Sequence, residues 1–135
     1  MKKRPIEKAG EEKITVNLGY VDLGRVDLLV CEGFYTNRTD FIRTAIRNQL
    51  ASHSEAVKQS MSRHTLELGL RRLGRAELEA VKASGEKLHI RVLGLTMIDE
   101  DVTPDLERET IASVHVLGAL QASSAVKAAL ADRII

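Results

Sequence analysis

The side chains of this chain that could do chemistry are few, and their types favour recognition over bond making. Lys13, Thr15 and Asn17 occupy alternate positions, so on a strand their three hydrogen-bonding side chains share one face. Thr36-Asn37-Arg38-Thr39 stands just before an apolar-periodic stretch. Thr36 and Asn37 are good helix N-caps. The free N–H groups of Asn37, Arg38 and Thr39, together with the helix dipole, make an anion site, to which Thr36 and Arg38 can add side-chain donors. The bland readings are a solvated strand face and a simple helix cap, and a cap leaves other N–H groups free for a ligand. Arg43 and Arg47, further along, suit surface ion pairs or phosphate contacts.

Other reactive groups do not assemble. His89 and His115 fall on adjacent polar positions, but two imidazoles without a third ligand make a poor transition-metal site, so no metal is expected. Asp99-Glu100-Asp101 with Asp105 lacks the glycine and ligand spacing of a calcium loop and reads as an acidic turn at a helix start. Cys31 is the one cysteine, which excludes a disulfide framework or a thiolate zinc site within one chain and reads as a small packed residue. No nucleophile elbow, phosphate loop or dinucleotide fingerprint is present. Neither an enzyme nor a cofactor is expected.

The elements that must position these residues follow from periodicity. Lys13 to Leu18 alternates polar with apolar, which marks a half-buried strand ending at Gly19. Val21, Leu23, Val26, Leu29 and Val30 repeat at helical spacing, with Gly33 suited to the C′ position. Phe41, Ile42, Ala45, Ile46 and Leu50 line one face of a second helix. Strand, helix, helix leaves a problem: one strand cannot satisfy its own backbone. A second copy solves it, with two strands pairing antiparallel about a two-fold axis. Ile14, Val16 and Leu18 then face a shared core, and Lys13, Thr15 and Asn17 of both chains line the other face.

Composition bounds the partners. The chain has 135 residues, with 20 Lys+Arg against 19 Asp+Glu, so its net charge alone does not argue for nucleic acid. Aromatic residues are only 3%, too few for base-stacking platforms. No apolar run approaches the roughly 20 residues needed to span a bilayer. With no secretory signal after Met1-Lys2-Lys3-Arg4, the default expectation is a cytoplasmic location and no membrane partner. Positive charge concentrates before about residue 85, and the remainder is acidic. Residues 1–12 read as a basic flexible arm, and the serine-rich residues 53–65 as a helix tail and linker.

A two-stranded ribbon fits the DNA major groove, where each base pair shows a distinct donor and acceptor pattern. Residues 12–52 resemble the ribbon-helix-helix family, which includes the MetJ, Arc and CopG-like repressors. The resemblance rests on Lys13-Ile-Thr-Val-Asn-Leu18, the first helical segment, and Glu32-Gly-Phe-Tyr-Thr-Asn-Arg-Thr-Asp-Phe-Ile-Arg-Thr-Ala-Ile-Arg47. It departs at Gly19-Tyr20, where many members carry Pro-Glu, and at Gly24. The resemblance implies that Lys13, Thr15 and Asn17 read bases. It also implies that Thr36, Asn37, Arg38 and Thr39 clamp a phosphate. Lys2, Lys3 and Arg4 read either as a solubilising tail or, beside a DNA-reading strand, as further backbone contacts.

The second half carries a repeat. Residues 89–111 and 113–135 match at an offset of 24, as in Val92-Leu93-Gly94 and Val116-Leu117-Gly118. A weaker earlier copy places Leu66 and Leu68 against Ile90 and Val92, and Leu78 against Val102. Thr103-Pro104 starts a short helix in one unit, and Ser123 or Ser124 in the next. Each unit reads as strand, turn and helix, stacked as a small solenoid whose ends need partner chains. The expected fold is therefore α+β: residues 13–52 form an intertwined ribbon-helix-helix dimer, and residues 66–135 form a strand-turn-helix association domain with a 24-residue period. The expected function is a sequence-specific, double-stranded-DNA-binding transcriptional repressor that oligomerises beyond the dimer. The alternatives are an antitoxin whose C-terminal segment holds a toxin partner, and a DNA-organising protein that polymerises along DNA.

Overall fold

The computed structural model describes residues 11–135, and the chain divides into two compact units, residues 1–60 and 61–135. The basic arm expected over residues 1–12 lies almost wholly outside the described residues.

The first unit contains α1 (Tyr20–Cys31) and α2 (Arg38–Ser52). Two capping devices fix the turn between them. Gly33 adopts φ 85°, and the N–H groups of Gly33 and Phe34 donate to the carbonyls of Val30 and Leu29. This is the paired C-terminal arrangement that a left-handed glycine at C′ allows. The Asn37 side chain then accepts from the Asp40 N–H at 2.8 Å, while the Thr36 N–H donates to the Asp40 carboxylate at 2.9 Å. Tyr35 and Phe41 pack edge to face across the turn, with ring centroids 5.0 Å apart.

Residues 11–19 form no ladder with any of the described residues. In the two helices only Val26 is buried, while Ile14, Val16, Val21, Leu28, Ile42, Ile46 and Leu50 are exposed. Cys31, expected to pack, is exposed at the end of α1. The stretch expected as helix tail and linker holds a helix of its own, α3 (Ser54–His64). Its sequence is polar and carries no buried residue.

The second unit alternates strands and helices: β1 (Glu67–Leu73), α4 (Arg75–Ser84), β2 (Leu88–Ile98), α5 (Pro104–Thr110), β3 (Ile111–Gln121) and α6 (Ser124–Leu130). The strands form one parallel sheet in the order β1-β2-β3. Parallel neighbours need crossovers, and α4 and α5 supply them. Thr103 caps α5 ahead of Pro104, and Ser123 caps α6, each side-chain oxygen accepting a backbone N–H at 3.2 Å. The helices and one sheet face enclose Leu73, Leu78, Ile90, Val92, Ile98, Val102, Leu106, Ile111, Val114, Val126 and Leu130.

The register refines the expected period. β2 pairs with β3 at an offset of 24 from His89↔Ser113 onwards, with one irregularity at Leu88/His89. β1 pairs with β2 at an offset of 25, from Glu67↔Val92 to Leu73↔Ile98. The earlier copy is therefore displaced by one residue: Leu68 stands beside Leu93, not Val92. The connections differ enough to absorb the change, since α4 has 10 residues and α5 has 7. The corrected register brings Gly69, Gly94 and Gly118 into one row across the sheet. All three have φ between 121° and 140°, a region open to glycine at little cost.

Candidate nucleic-acid interface

The three residues expected to read bases lie on the extended segment before α1. Lys13, Thr15 and Asn17 are exposed, but so are their neighbours Ile14 and Val16, at 72% and 68%. A single chain therefore does not distinguish the two faces of this segment, and its backbone has no strand partner among the described residues. An apolar series at alternate positions, left in solvent, costs hydrophobic free energy that burial against another surface would recover.

The residues expected to hold a phosphate do converge on the first turn of α2. Asn37 and Thr36 are engaged in the cap just described. The N–H groups of Arg38 and Thr39 sit at the first two helical positions, where no intrahelical acceptor exists. Their peptide dipoles and exposed position suit an anion.

The Arg38 side chain is less free than its sequence suggests. Its Nε and Nη2 donate to the two carboxylate oxygens of Asp27 on α1, at 2.7 and 2.8 Å. This two-pronged bond holds the Asp27 carboxyl below its usual range and raises the Arg38 guanidinium. Both groups are about half exposed, so solvent screens the pair and a competing phosphate can reach it. Asp27 carried no signal in the sequence, because its partner is 11 residues away, across a turn. Its acid and the Asp40 carboxylate both lie by the proposed anion site, so binding there requires Arg38 to exchange one acceptor for another.

The further basic residues separate. Arg43 and Arg47 line a shallow hollow with Glu11, Glu12 and Ile46, so their charge faces acidic side chains of the N-terminal segment. Lys2, Lys3 and Arg4 lie outside the described residues.

The remaining candidates are found in the second unit. His89 and Ser113 share a hydrogen bond of 2.8 Å, and His115 lies beside Arg91 in the ladder and edge-on to the His64 ring at 6.0 Å. Asp99 is tied to Arg72 at 2.7 Å. Among the described residues no three metal-ligating side chains converge.

Comparison with curated proteins gives no match, and comparison with solved structures gives none either. A family model does match, over residues 9–127, and its description is that of a ribbon-helix-helix transcriptional regulator family. The match takes in the extended segment, the α1–α2 turn and most of the second unit, well beyond the 12–52 stretch whose motifs first suggested the resemblance. The chain thus belongs to the ribbon-helix-helix transcriptional regulator family.

Proposed function

We propose that the protein is a sequence-specific repressor that reads the DNA major groove with a ribbon made of residues 13–18 from two chains. Proteins of this family bind DNA and are typically dimeric. The observation that carries the reading is the unburied apolar series Ile14, Val16, Leu18 on a segment with no ladder of its own. Pairing with a second copy buries that series and directs Lys13, Thr15 and Asn17 of both chains outward together. Lys donates to guanine, Asn pairs with adenine through two hydrogen bonds, and Thr offers a hydroxyl and a methyl. The N–H groups at the start of α2 then take a backbone phosphate and fix the ribbon's register on the duplex.

The second unit joins dimers on adjacent half-sites. Linking two binding modules raises apparent affinity through effective concentration. Repression follows from occupancy of the operator. With β1 and β3 as the two edge strands of its sheet, the second unit also favours a second reading, in which the same contacts continue along DNA and organise it. Mapping bound genomic DNA separates a few operators from broad coating.

The direct test is the double substitution Thr15→Ala with Asn17→Ala. Both side chains are exposed, so the fold should persist by circular dichroism. Each lost base contact should cost roughly 1–3 kcal/mol of discrimination. Equal preference of wild type and double variant for operator over scrambled DNA would sink the ribbon-readout reading.

A further inference from the structure

The row Gly69-Gly94-Gly118 is not symmetrical at its two ends. A Cβ on Gly94 would run into the carbonyl of Gly69, and a Cβ on Gly118 into the carbonyl of Gly94. Each glycine thus receives the carbonyl of the strand before it. Gly69 has the same conformation, φ 122°, but a Cβ there would meet nothing within 4 Å. At the other end, Gly118 shares the φ of Gly69, 121° against 122°, and stands on β3, the opposite edge strand of the sheet. At Gly69 the row thus has an unfilled place for a carbonyl, and at Gly118 it ends on an edge strand with no further glycine beside it among the described residues.

From these ends we infer that the second unit stacks head to tail on a second copy of itself, with β1 of one copy adding in parallel to the outer edge of β3 of another. The inference rests on the reading that this unit joins chains, and it specifies the surfaces and the register.

Three observations bear on the fit. First, the contact is continuous with the ladder inside the unit. β1 spans only the level Val92–Ile98 of β2, which corresponds to the stretch from Val116 to the end of β3. On the outer edge of β3, residues 133–135 pair at Val114 alone. From Val116 to Gln121 no strand lies beside it among the described residues. The vacant stretch and the strand that would fill it begin at the same level. Second, the β3 edge is not guarded, while β1 keeps its charges at Glu67, Arg71 and Arg72 and leaves its leucines bare. β3 carries no charged residue and no proline over its 11 residues, and Leu68 and Leu70 on β1 are 74% and 62% exposed. Edges that avoid pairing usually carry inward charges, prolines or bulges.

Third, charge runs in one direction along the stack. Arg72 pairs with Asp99, Lys82 with Glu109, and Arg108 with Asp132. In each pair the base belongs to the earlier repeat and the acid to the later one. In the last repeat Lys127 is exposed and has no acidic partner among the described residues, while Arg133 is held by the carbonyls of Arg108 and Ile111. Such a heterologous contact closes into a ring or runs on as a filament, and it leaves the two-fold ribbon pairing untouched.

Cross-linking in full-length protein tests this directly. In a Cys31→Ser background, Leu68→Cys and Leu117→Cys are made in separate proteins; both leucines are exposed, and both share the row Leu68↔Leu93↔Leu117. Neighbouring strands lie about 4.8 Å apart, within reach of a short thiol cross-linker. The expected result is cross-linked pairs in the mixture and none above background in either protein alone. Pairs formed by Leu68→Cys alone would overturn the stack in favour of a two-fold contact between β1 edges. No pairs, with light scattering still above the dimer mass, would overturn the stack but keep association through another face. A strictly dimeric mass would refute the association reading as well. Leu70→Lys should leave circular dichroism unchanged and abolish assemblies beyond the dimer; their persistence would also overturn the stack.

Discussion

Replacing Glu107 with glutamine should stabilise the second unit at alkaline pH and remove most of its pH dependence. Glu107 lies in α5 with no solvent exposure, and neither carboxylate oxygen has a hydrogen-bond partner among the described residues. Burial pushes its carboxyl up to about 7, against the pull of the nearby Arg133 and Arg108 cations and with a further push from Asp132. In the unfolded chain the same group titrates near 4.5. The folded state therefore binds the extra proton between those values. Stability from this group is greatest below the unfolded value and is lost as pH rises through about 7. At 1.36 kcal/mol per unit, the full change is about 3 kcal/mol. That is a large part of the 5–15 kcal/mol that holds a typical domain together, and it corresponds to a melting shift of roughly 10 °C or more for a unit of this size. Glutamine has the shape of the protonated acid and cannot ionise. Thermal and urea unfolding of both proteins at pH 5.5 and 8 would measure the effect, all other groups being common to the two proteins. If the variant loses as much stability as wild type between these two pH values, Glu107 is not buried as described.

Other outcomes follow from the caps, the anion site and the division of labour. Thr103→Ala and Ser123→Ala each remove a helix N-cap and should cost about 1 kcal/mol in urea unfolding. Gly94→Ala places a Cβ on the Gly69 carbonyl and should prevent the second unit from folding, as judged by circular dichroism. Arg38→Ala should weaken specific and non-specific DNA binding by similar factors and reduce the salt slope by about one phosphate contact; an unchanged slope with loss at the operator alone would reassign Arg38. A fragment of residues 1–60 should dimerise but bind tandem sites without cooperativity, measured by light scattering and DNA titration against the full chain.

Local signals in the sequence carried much of this. Gly33, Thr103-Pro104 and Ser123 read as helix ends because a left-handed glycine, a proline at the first position and a capping hydroxyl act over three or four residues. The offset of 24 is visible because β2 and β3 have the same length and carry matching apolar residues at Ile90/Val114, Val92/Val116 and Leu93/Leu117. The β1 register was missed by one because β1 is shorter and its leucines face solvent, so their spacing reports no core. α3 reads as a tail and linker because it buries nothing and shows no apolar stripe. Glu107 lies between Leu106 and Arg108 in a charged run and reads as a solvated residue; only the packing of α5 between its neighbours reveals its burial. The Arg38–Asp27 pair depends on the angle at the α1–α2 turn, which no local pattern specifies.

The two units also differ in what a solitary chain can protect. Residues 61–135 close their own core from contacts between adjacent repeats, so this half resists cleavage as soon as it is synthesised. Residues 11–52 emerge from the ribosome first and, in a solitary chain, bury one large apolar side chain, Val26. Degradation of this half competes with chain encounter, a second-order process that slows as the protein is diluted. With the first unit completed by a second copy as proposed, scarce chains should be trimmed to the C-terminal half and abundant chains should survive whole. Cellular abundance then sets lifetime as well as occupancy, and limited proteolysis across a dilution series would display the threshold.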